Sequence, residues 1–174
     1  GFPKIASDLT LNHLKNYNFH KEWKIPVAPE AYKRDLSLFG DQYSNFNAGK
    51  ILLFLEGLGG LSYSIPDNIF KVKDSLPIDW DWMEFDIPIG NQSGWTQVRY
   101  ERKKGLLGEE KKSITVSNCP LRLKFEPWLE NRELSRKPDL KGSRFTECNA
   151  THTGYVSFLS DQSSSKSSIT LSFK

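Results

Sequence analysis

Three segments in the last two thirds of this 174-residue chain alternate apolar and polar residues with a period of two. They are residues 83–89, 121–126 and 168–173. Successive side chains of a strand point to opposite faces, so each segment predicts a strand with one buried and one exposed face. The predicted inward residues are Met83, Phe85, Ile87, Leu121, Leu123, Phe125, Ile169, Leu171 and Phe173.

Weaker strand candidates separated by polar turns complete a predicted antiparallel β-sandwich over residues 63–174. These candidates are residues 69–73, 95–102, 113–118, 144–148 and 153–160. Residues 105–112 and 130–143 are charged and contain Gly or Pro, so we predict loops there. Residues 163–168 are rich in serine and predict a hairpin tip.

Residues 1–62 have a helical pattern instead. Asp8 or Thr10 is a candidate N-cap of a short helix, and the strongest predicted helix runs from Phe46 to Leu58. Its apolar positions surround nearly the whole helix, which predicts burial on every side. We therefore expect another protein segment to cover it, either an upstream part of the same parent chain or a partner chain. We expect Gly1 to be an end left by proteolytic processing, the boundary of an expressed fragment, or a residue within a longer protein.

The charge balance and the apolar runs exclude two classes of protein. Lys and Arg total 24 and Asp and Glu total 21, which gives a net charge of +3. A nucleic-acid-binding protein needs a concentrated basic surface, so we expect no nucleic-acid partner. The longest uninterrupted apolar run, Ile51–Leu55, is far too short for a membrane span.

Two cysteines and two glycosylation sequons favour a secreted or lumenal protein. Cys119 and Cys148 lack metal-site or C-x-x-C spacing, so we predict a disulfide bond between them, with two unpaired core thiols as the alternative. The sequons begin at Asn91 and Asn149, both in polar, loop-like stretches that suit glycosylation.

Polar side chains crowd the start of the apolar helix. They are Asp41, Gln42, Tyr43, Asn45 and Asn47. Sugar hydroxyls require such convergent donors and acceptors, with aromatic faces against the ring, so this segment is a candidate sugar site. The alternative is helix capping, in which Ser44 or Asn45 is the N-cap and Asp41 interacts with the positive end of the helix.

Residues 30–49 and 70–80 contain two motifs that resemble the C-terminal end of (α/α)6-toroid glycoside hydrolases, the group that includes glucosidase I and trehalase-like enzymes and, more loosely, α-rhamnosidases. The first is Glu30-x-Tyr32-x-x-Asp35, followed by a Gly-containing loop and the Phe46-Asn47-Ala48-Gly49 start of the last helix. The second, residues 70–80, is similar to the opening of the β-sandwich that follows the toroid in those enzymes. The resemblance spans residues 23–100 and implies a mixed α and β fold: residues 1–62 are the terminal helices of an α/α toroid and residues 63–174 an antiparallel β-sandwich.

The same resemblance implies a function and a set of site residues. Glu30 would be the general base, and Tyr32 would line the substrate site with the polar residues at the helix start. Inverting hydrolysis uses two carboxyl groups about 6.5–9.5 Å apart. The resemblance implies that the second one, the general acid, lies upstream on a part of the toroid outside this chain. The implied protein is a C-terminal fragment or subunit that closes the catalytic toroid, without a cofactor or metal. An ordinary solvated loop glutamate is the alternative for Glu30.

The alternative function is a non-catalytic carbohydrate-binding or structural β-sandwich. Its candidate stacking residues are Trp80, Trp82, Trp95 and Trp128, although tryptophan in a β-sandwich more often packs in the core. A second carboxylic acid beside Glu30, on a longer parent or partner chain, would distinguish the enzyme from the binding module.

Overall fold

The chain divides into two compact units, residues 1–58 and 59–174. The computed structural model describes residues 52–74, 76–77, 79–89, 94–106, 108–127, 129, 133–148 and 156–173, together with Asp8 and two short strands. These strands, β1 (Ala31–Tyr32) and β2 (Leu38–Phe39), pair antiparallel in the first unit. The first unit also contains a short π-helical segment, Leu53–Leu58.

The described part of the second unit contains two five-stranded sheets in a β-sandwich-like arrangement. The strands are β3 (Leu61–Ser64), β4 (Ile69–Lys73), β5 (Trp82–Ile87), β6 (Thr96–Lys104), β7 (Glu110–Cys119), β8 (Arg122–Glu126), β9 (Asp139–Lys141), β10 (Phe145–Cys148), β11 (Ser157–Ser160) and β12 (Ser164–Phe173). The first sheet has the order β10-β11-β8-β4-β3, and the second has the order β5-β6-β7-β12-β9. Strands β4 and β8 are parallel, and the other neighbours are antiparallel.

The inward residues of both sheets form the core. Those of the first sheet are Leu61, Phe70, Val72, Leu123, Phe125 and Phe158, and those of the second are Met83, Ile87, Val98, Tyr100, Ile114, Val116, Ile169, Leu171 and Phe173. Eight of the nine predicted inward residues are buried, which confirms the prediction for them. The ninth, Phe85, is half-buried because β5 is an edge strand, and its ring meets Tyr100 edge-on at a centroid distance of 6.5 Å.

Charged side chains occupy inward positions at one end of the second sheet. Arg102 and Lys112 are directly opposite each other on β6 and β7. Lys112 Nζ lies 3.1 Å from Asp74 Oδ2, and the two side chains are 4% and 5% exposed. Arg102 Nε lies 3.1 Å from Glu110 Oε1, and Arg102 Nη1 donates to the carbonyl of Pro77 at 2.9 Å. Each buried cation therefore has a carboxylate beside it, as charges removed from water require.

The hydroxyl of Tyr100 connects the two sheets. It donates a hydrogen bond to the carbonyl of Gly59 at 2.5 Å and lies 3.4 Å from the carbonyl of Lys73, the last residue of β4. Burial, and to a lesser degree the negative charge of Asp74, raises the pKa of Tyr100 well above its usual value of 10.0. The phenol is therefore held in its neutral form, in which it can donate.

The predicted α/α toroid is wrong, and so is the mixed α and β fold class that contained it. A toroid is built from pairs of long helices, whereas the described residues of the first unit form a two-stranded sheet, one short helical segment at residues 52–58 and a single helical residue, Asp8. Tyr32 of the glutamate-tyrosine motif lies in β1, and the second motif begins with β4. Both motifs are only a few residues long. Motifs of this length do not specify how long helices pack against one another, and that packing defines the family they resemble.

Several predicted loops contain strand residues. Strand β7 begins at Glu110, β9 lies within residues 130–143, and β12 begins at Ser164. The hairpin between β6 and β7 is closed by a 2.6 Å hydrogen bond from Gly105 N to Glu109 O. Sequence reasoning missed these residues because they are polar and are held by backbone pairing rather than by an apolar alternation.

Both cysteine thiols are free in the structure, so the predicted Cys119–Cys148 disulfide bond is not formed in it. Cys119 ends β7 in the second sheet, whereas Cys148 ends β10 in the first. Burial raises the pKa of the Cys119 thiol, although hydrogen bonds with the Leu121 backbone and the Thr96 side chain act in the opposite direction. Cys119 is buried and Cys148 half-buried, so their reactivities should differ.

Replacing Asp74 by Ala should lower the free energy of unfolding by about 3–5 kcal/mol, because the Lys112 ammonium remains buried after losing its carboxylate. Urea denaturation at neutral pH measures the change. Asp139→Ala is the matched control, since its pair with Lys141 is exposed, with Nζ and Oδ2 3.5 Å apart. The free energy of unfolding of this control should fall by less than about 1 kcal/mol. Equally small losses in both variants would contradict a stabilising role for the buried pair.

The raised pKa of Tyr100 predicts a loss of stability in alkali. The folded state favours the protonated phenol, so this contribution is complete below the ordinary pKa of 10.0 and is lost as the pH rises through the higher folded-state pKa. Denaturant melts at about pH 9 and about pH 11 should show a larger loss for the wild type than for Tyr100→Phe. The variant should also be about 1–2 kcal/mol less stable at neutral pH, because the Gly59 carbonyl loses its donor. An equal loss of stability between the two pH values in the wild type and in Tyr100→Phe would count against the role of the Tyr100 hydroxyl.

Iodoacetamide should alkylate Cys148 in the native protein and leave Cys119 unmodified, because Cys148 is only half-buried whereas Cys119 is buried and its thiol pKa is raised by that burial. In concentrated urea both thiols should react. Intact-mass and peptide mass spectrometry measure the two patterns. Native protein that takes up no reagent at either cysteine until a reductant is added would instead indicate the disulfide bond.

Candidate functional site

The outward face of β5 and β6 presents charged and amide side chains in closely paired rows. Where the two strands pair, the outward residues are Trp82, Glu84 and Asp86 on β5 and Gln97, Arg99 and Glu101 on β6, and Lys103 follows on the outward side of β6 beyond the end of β5. They point outward because the alternate positions of both strands fill the core. In the strand register, Glu84 lies opposite Arg99, and Asp86 lies opposite Gln97. We call this surface the β5–β6 face.

Two exposed tryptophans stand at opposite ends of the β5–β6 face. Trp82 is 58% exposed and pairs with Glu101 at one end. Trp95 is 61% exposed and directly precedes Thr96, the first and inward-facing residue of β6, so the strand alternation assigns Trp95 to the outward side. Six residues separate Trp95 from Glu101, which corresponds to about 20 Å along a strand. Exposure of both rings is unlike the core packing that is usual for tryptophan in a sandwich.

Hydrogen bonds hold the polar side chains between the tryptophans in fixed positions. Arg99 donates from Nη1 to Glu84 and from Nε to Glu101, each at 2.9 Å. These two bonds raise the pKa of Arg99 above its ordinary value. The amide of Gln97 donates to Asp86 at 3.2 Å and to Glu84 at 3.4 Å. The carboxylate oxygens are therefore oriented acceptors on a rigid sheet.

The Arg99 guanidinium also positions the indole of Trp82. The guanidinium carbon lies 5.1 Å from the centroid of the ring, within the range of a cation–π interaction. Arg99 thus links the aromatic group to both glutamates. The tryptophan is held by its neighbours although it is largely open to solvent.

Hydroxyl groups continue the surface across β7 and β12. The outward residues there include Ser113, Thr115, Ser117, Ser168 and Thr170. Thr115 lies between Arg99 and Ser168 in the register, so the hydroxyls adjoin the charged rows. Three carboxylates and one guanidinium give the six paired positions of the β5–β6 face a formal charge of −2, and Lys103 adds one positive charge beyond their end. This charge disfavours an anionic ligand.

Such a surface can bind a ligand with many hydroxyl groups. Aromatic rings offer flat apolar faces, and the neighbouring side chains offer both donors and acceptors. No group of three or more His, Cys, Asp or Glu that could hold a metal ion is found among the described residues. No helix in the described ranges is long and apolar enough to cross a membrane.

The site residues predicted from the sequence fall mostly outside the described residues. Glu30, Asp41, Gln42, Tyr43, Asn45, Asn47, Asn91 and Asn149 all lie outside them. Tyr32 lies in β1, where only its backbone is described. Their roles remain predictions.

Of the four candidate stacking tryptophans, Trp82 lies on the β5–β6 face, and the exposed Trp95 directly precedes β6 on the side that strand alternation assigns to the same face. Trp80 is half-buried, and Trp128 is outside the described residues. The sequence did not indicate that Arg99, Glu84 and Glu101 lie together beside Trp82. The sequence did contain a signal for the position of Trp82. The inward series of β5 begins at Met83, so the neighbouring Trp82 belongs to the outward side.

Comparisons of the chain with protein-family models, with curated proteins and with solved structures found no match.

Proposed function

We propose that this protein is a non-catalytic β-sandwich module that binds a neutral carbohydrate polymer along the β5–β6 face. The observation that carries the proposal is the exposure of Trp82 and Trp95 at the two ends of one ordered polar surface. Large aromatic side chains on a rigid sheet gain little from solvent exposure, whereas a sugar ring can stack on them.

The separation of the two tryptophans favours an extended ligand. A distance of about 20 Å along the strand direction is too long for a single sugar ring to bridge. A polymer could stack on both indoles and place its hydroxyls against the carboxylates and the Gln97 amide between them. The negative charge of the face favours a neutral polymer over one that carries carboxylate or sulfate groups.

The hydrogen bonding of the two glutamates favours binding over hydrolysis. Glu84 and Glu101 both accept hydrogen bonds from Arg99. Glycoside hydrolysis needs one protonated carboxyl group that donates to the leaving oxygen. Two carboxylates that accept from one guanidinium are suited to receive hydrogen bonds from sugar hydroxyls instead.

The proposal also includes the location and the protein partner expected from the sequence. A secreted or lumenal location would expose the module to polymeric carbohydrate. The expected partner is a protein segment, from the same parent chain or another chain, that covers Phe46–Leu58. Among the described side chains of this segment, Leu52 is 54% exposed and Phe54 and Leu55 are half-buried, so some apolar surface is open to such a partner, although Leu58 is already buried.

Trp82→Ala and Trp95→Ala should each weaken binding to the recognised polymer by about five- to tenfold, because each variant removes one stacking face. Isothermal titration calorimetry with soluble β-glucan, xylan, galactomannan and starch would identify the polymer and measure its affinity. Both variants should keep the wild-type melting temperature within a few degrees, since exposed side chains contribute little to stability.

Tyr63→Ala is the matched control, because Tyr63 is an aromatic residue of the first sheet that is also 58% exposed. It should bind like the wild type. Equal losses in all three variants would show a general effect of surface aromatic residues. A wild-type protein that binds none of the polymers would overturn the carbohydrate proposal.

A further inference from the structure

The outward face of β4 and β8 is basic. In the five strands of the first sheet as described, the charged outward residues are Lys71, Lys73, Arg122, Lys124 and Glu126. Four cations and one carboxylate give this surface a formal charge of +3. We call it the β4–β8 face. It belongs to the other sheet from the β5–β6 face, whose six paired positions carry a formal charge of −2.

The parallel pairing of β4 and β8 concentrates these charges. Lys71 lies directly opposite Lys124, and Lys73 lies opposite Glu126. Neighbouring strands are about 4.8 Å apart, and alternate residues of one strand are about 6.6 Å apart, so the four cations fall within a compact area. Like charges placed directly opposite each other on a sheet destabilise it. This arrangement therefore has a cost in the unliganded protein.

The carboxylate of Glu126 lies near both opposed lysines, Lys71 and Lys124. Glu126 Oε1 lies 2.9 Å from Lys124 Nζ and 4.0 Å from Lys71 Nζ. The Lys124 and Lys71 side chains are 30% and 42% exposed, whereas Glu126 is only 14% exposed. The positive groups are thus more accessible than the negative group that partly neutralises them. Arg122 is fixed by a 3.0 Å hydrogen bond from Nε to the carbonyl of Ser160.

We propose that the β4–β8 face binds a sulfated polysaccharide. A polymer with closely spaced sulfate groups would supply several anions to a flat, rigid group of cations and release its bound counterions, as in other polyanion complexes. Charge complementarity is the basis of the assignment. The proposal is independent of the neutral polymer on the β5–β6 face, because the two surfaces lie on different sheets.

The composition of the face argues against two other polyanionic partners. The outward positions of the five described strands contain no aromatic residue on which a nucleic-acid base could stack. The large apolar residues among them, Ile69 and Leu159, are half-buried, which leaves little apolar surface to insert into a lipid headgroup layer. A hydrophilic, sulfated chain requires neither feature.

Binding of the whole chain to immobilised dextran sulfate, with unsulfated dextran as the reference, tests the proposal. The wild type should bind dextran sulfate and elute with salt, whereas any binding to dextran would belong to the neutral-polymer site on the β5–β6 face and should be insensitive to salt. Lys71→Gln/Lys124→Gln should bind about tenfold or more weakly at about 50 mM salt, and the slope of log affinity against log salt should fall by about 2. Lys141→Gln/Lys166→Gln removes the same charge from the second sheet and should change the affinity less than about twofold.

Glu126→Gln tests the same face through an expected gain in binding, which a loss of fold would not produce. It removes the carboxylate that competes with sulfate, so it should bind dextran sulfate several-fold more tightly than the wild type. Equal losses in the two double-lysine variants, or no gain with Glu126→Gln, would overturn the assignment of the face. Preferential binding to duplex DNA or to vesicles containing phosphatidylserine, measured at the same salt, would overturn the assignment of the partner.

Discussion

The hydroxyl of Tyr100 is the polar contact on which the relation of the two sheets depends. Tyr100 lies on β6, an inner strand of the second sheet. Its hydroxyl donates a hydrogen bond, at 2.5 Å, to the carbonyl of Gly59, which lies just before β3 of the first sheet. Apolar packing alone is non-directional, whereas this buried hydrogen bond has one geometry. The ion pair of Lys112 with Asp74 joins β7 to the end of β4 in the same part of the interior. Directional contacts therefore fix the way in which an otherwise apolar core is closed.

The sandwich separates two kinds of surface chemistry. The inward positions of every strand are used for packing, so chemical groups that serve other purposes must lie on the outward positions. On the β5–β6 face these positions hold Trp82, three carboxylates and Arg99, whereas on β4 and β8 they hold three lysines, an arginine and a glutamate. Because the two sheets face opposite directions, the acidic and basic surfaces do not neutralise each other. A single small domain can thus present two faces of different charge.

Residue alternation predicted the strands where it was strong and failed where it was absent. The segments that begin at Met83 and Leu121 form β5 and β8 nearly as expected, because a period of two is consistent with a half-buried strand and not with a helix. The serines that open β12 gave no such signal, since their place is fixed by pairing with β7. The toroid prediction failed for a related reason. It depended on short motifs, and a motif of a few residues does not specify the packing of distant helices.

The sequence by itself determined which residues of the later strands face the core, and it named Trp82 and Trp95 as candidate ligand-stacking residues. Only the tertiary structure decided that both rings are exposed and that Arg99 holds Glu84 and Glu101 between them. It also decided that Lys71 faces Lys124 across a parallel pair of strands more than 50 residues apart in the chain. The physical reason is that alternation is a local property, readable along one strand. Which strands become neighbours depends on the free energy of packing the whole domain, and the surface chemistry of each face follows from those neighbours.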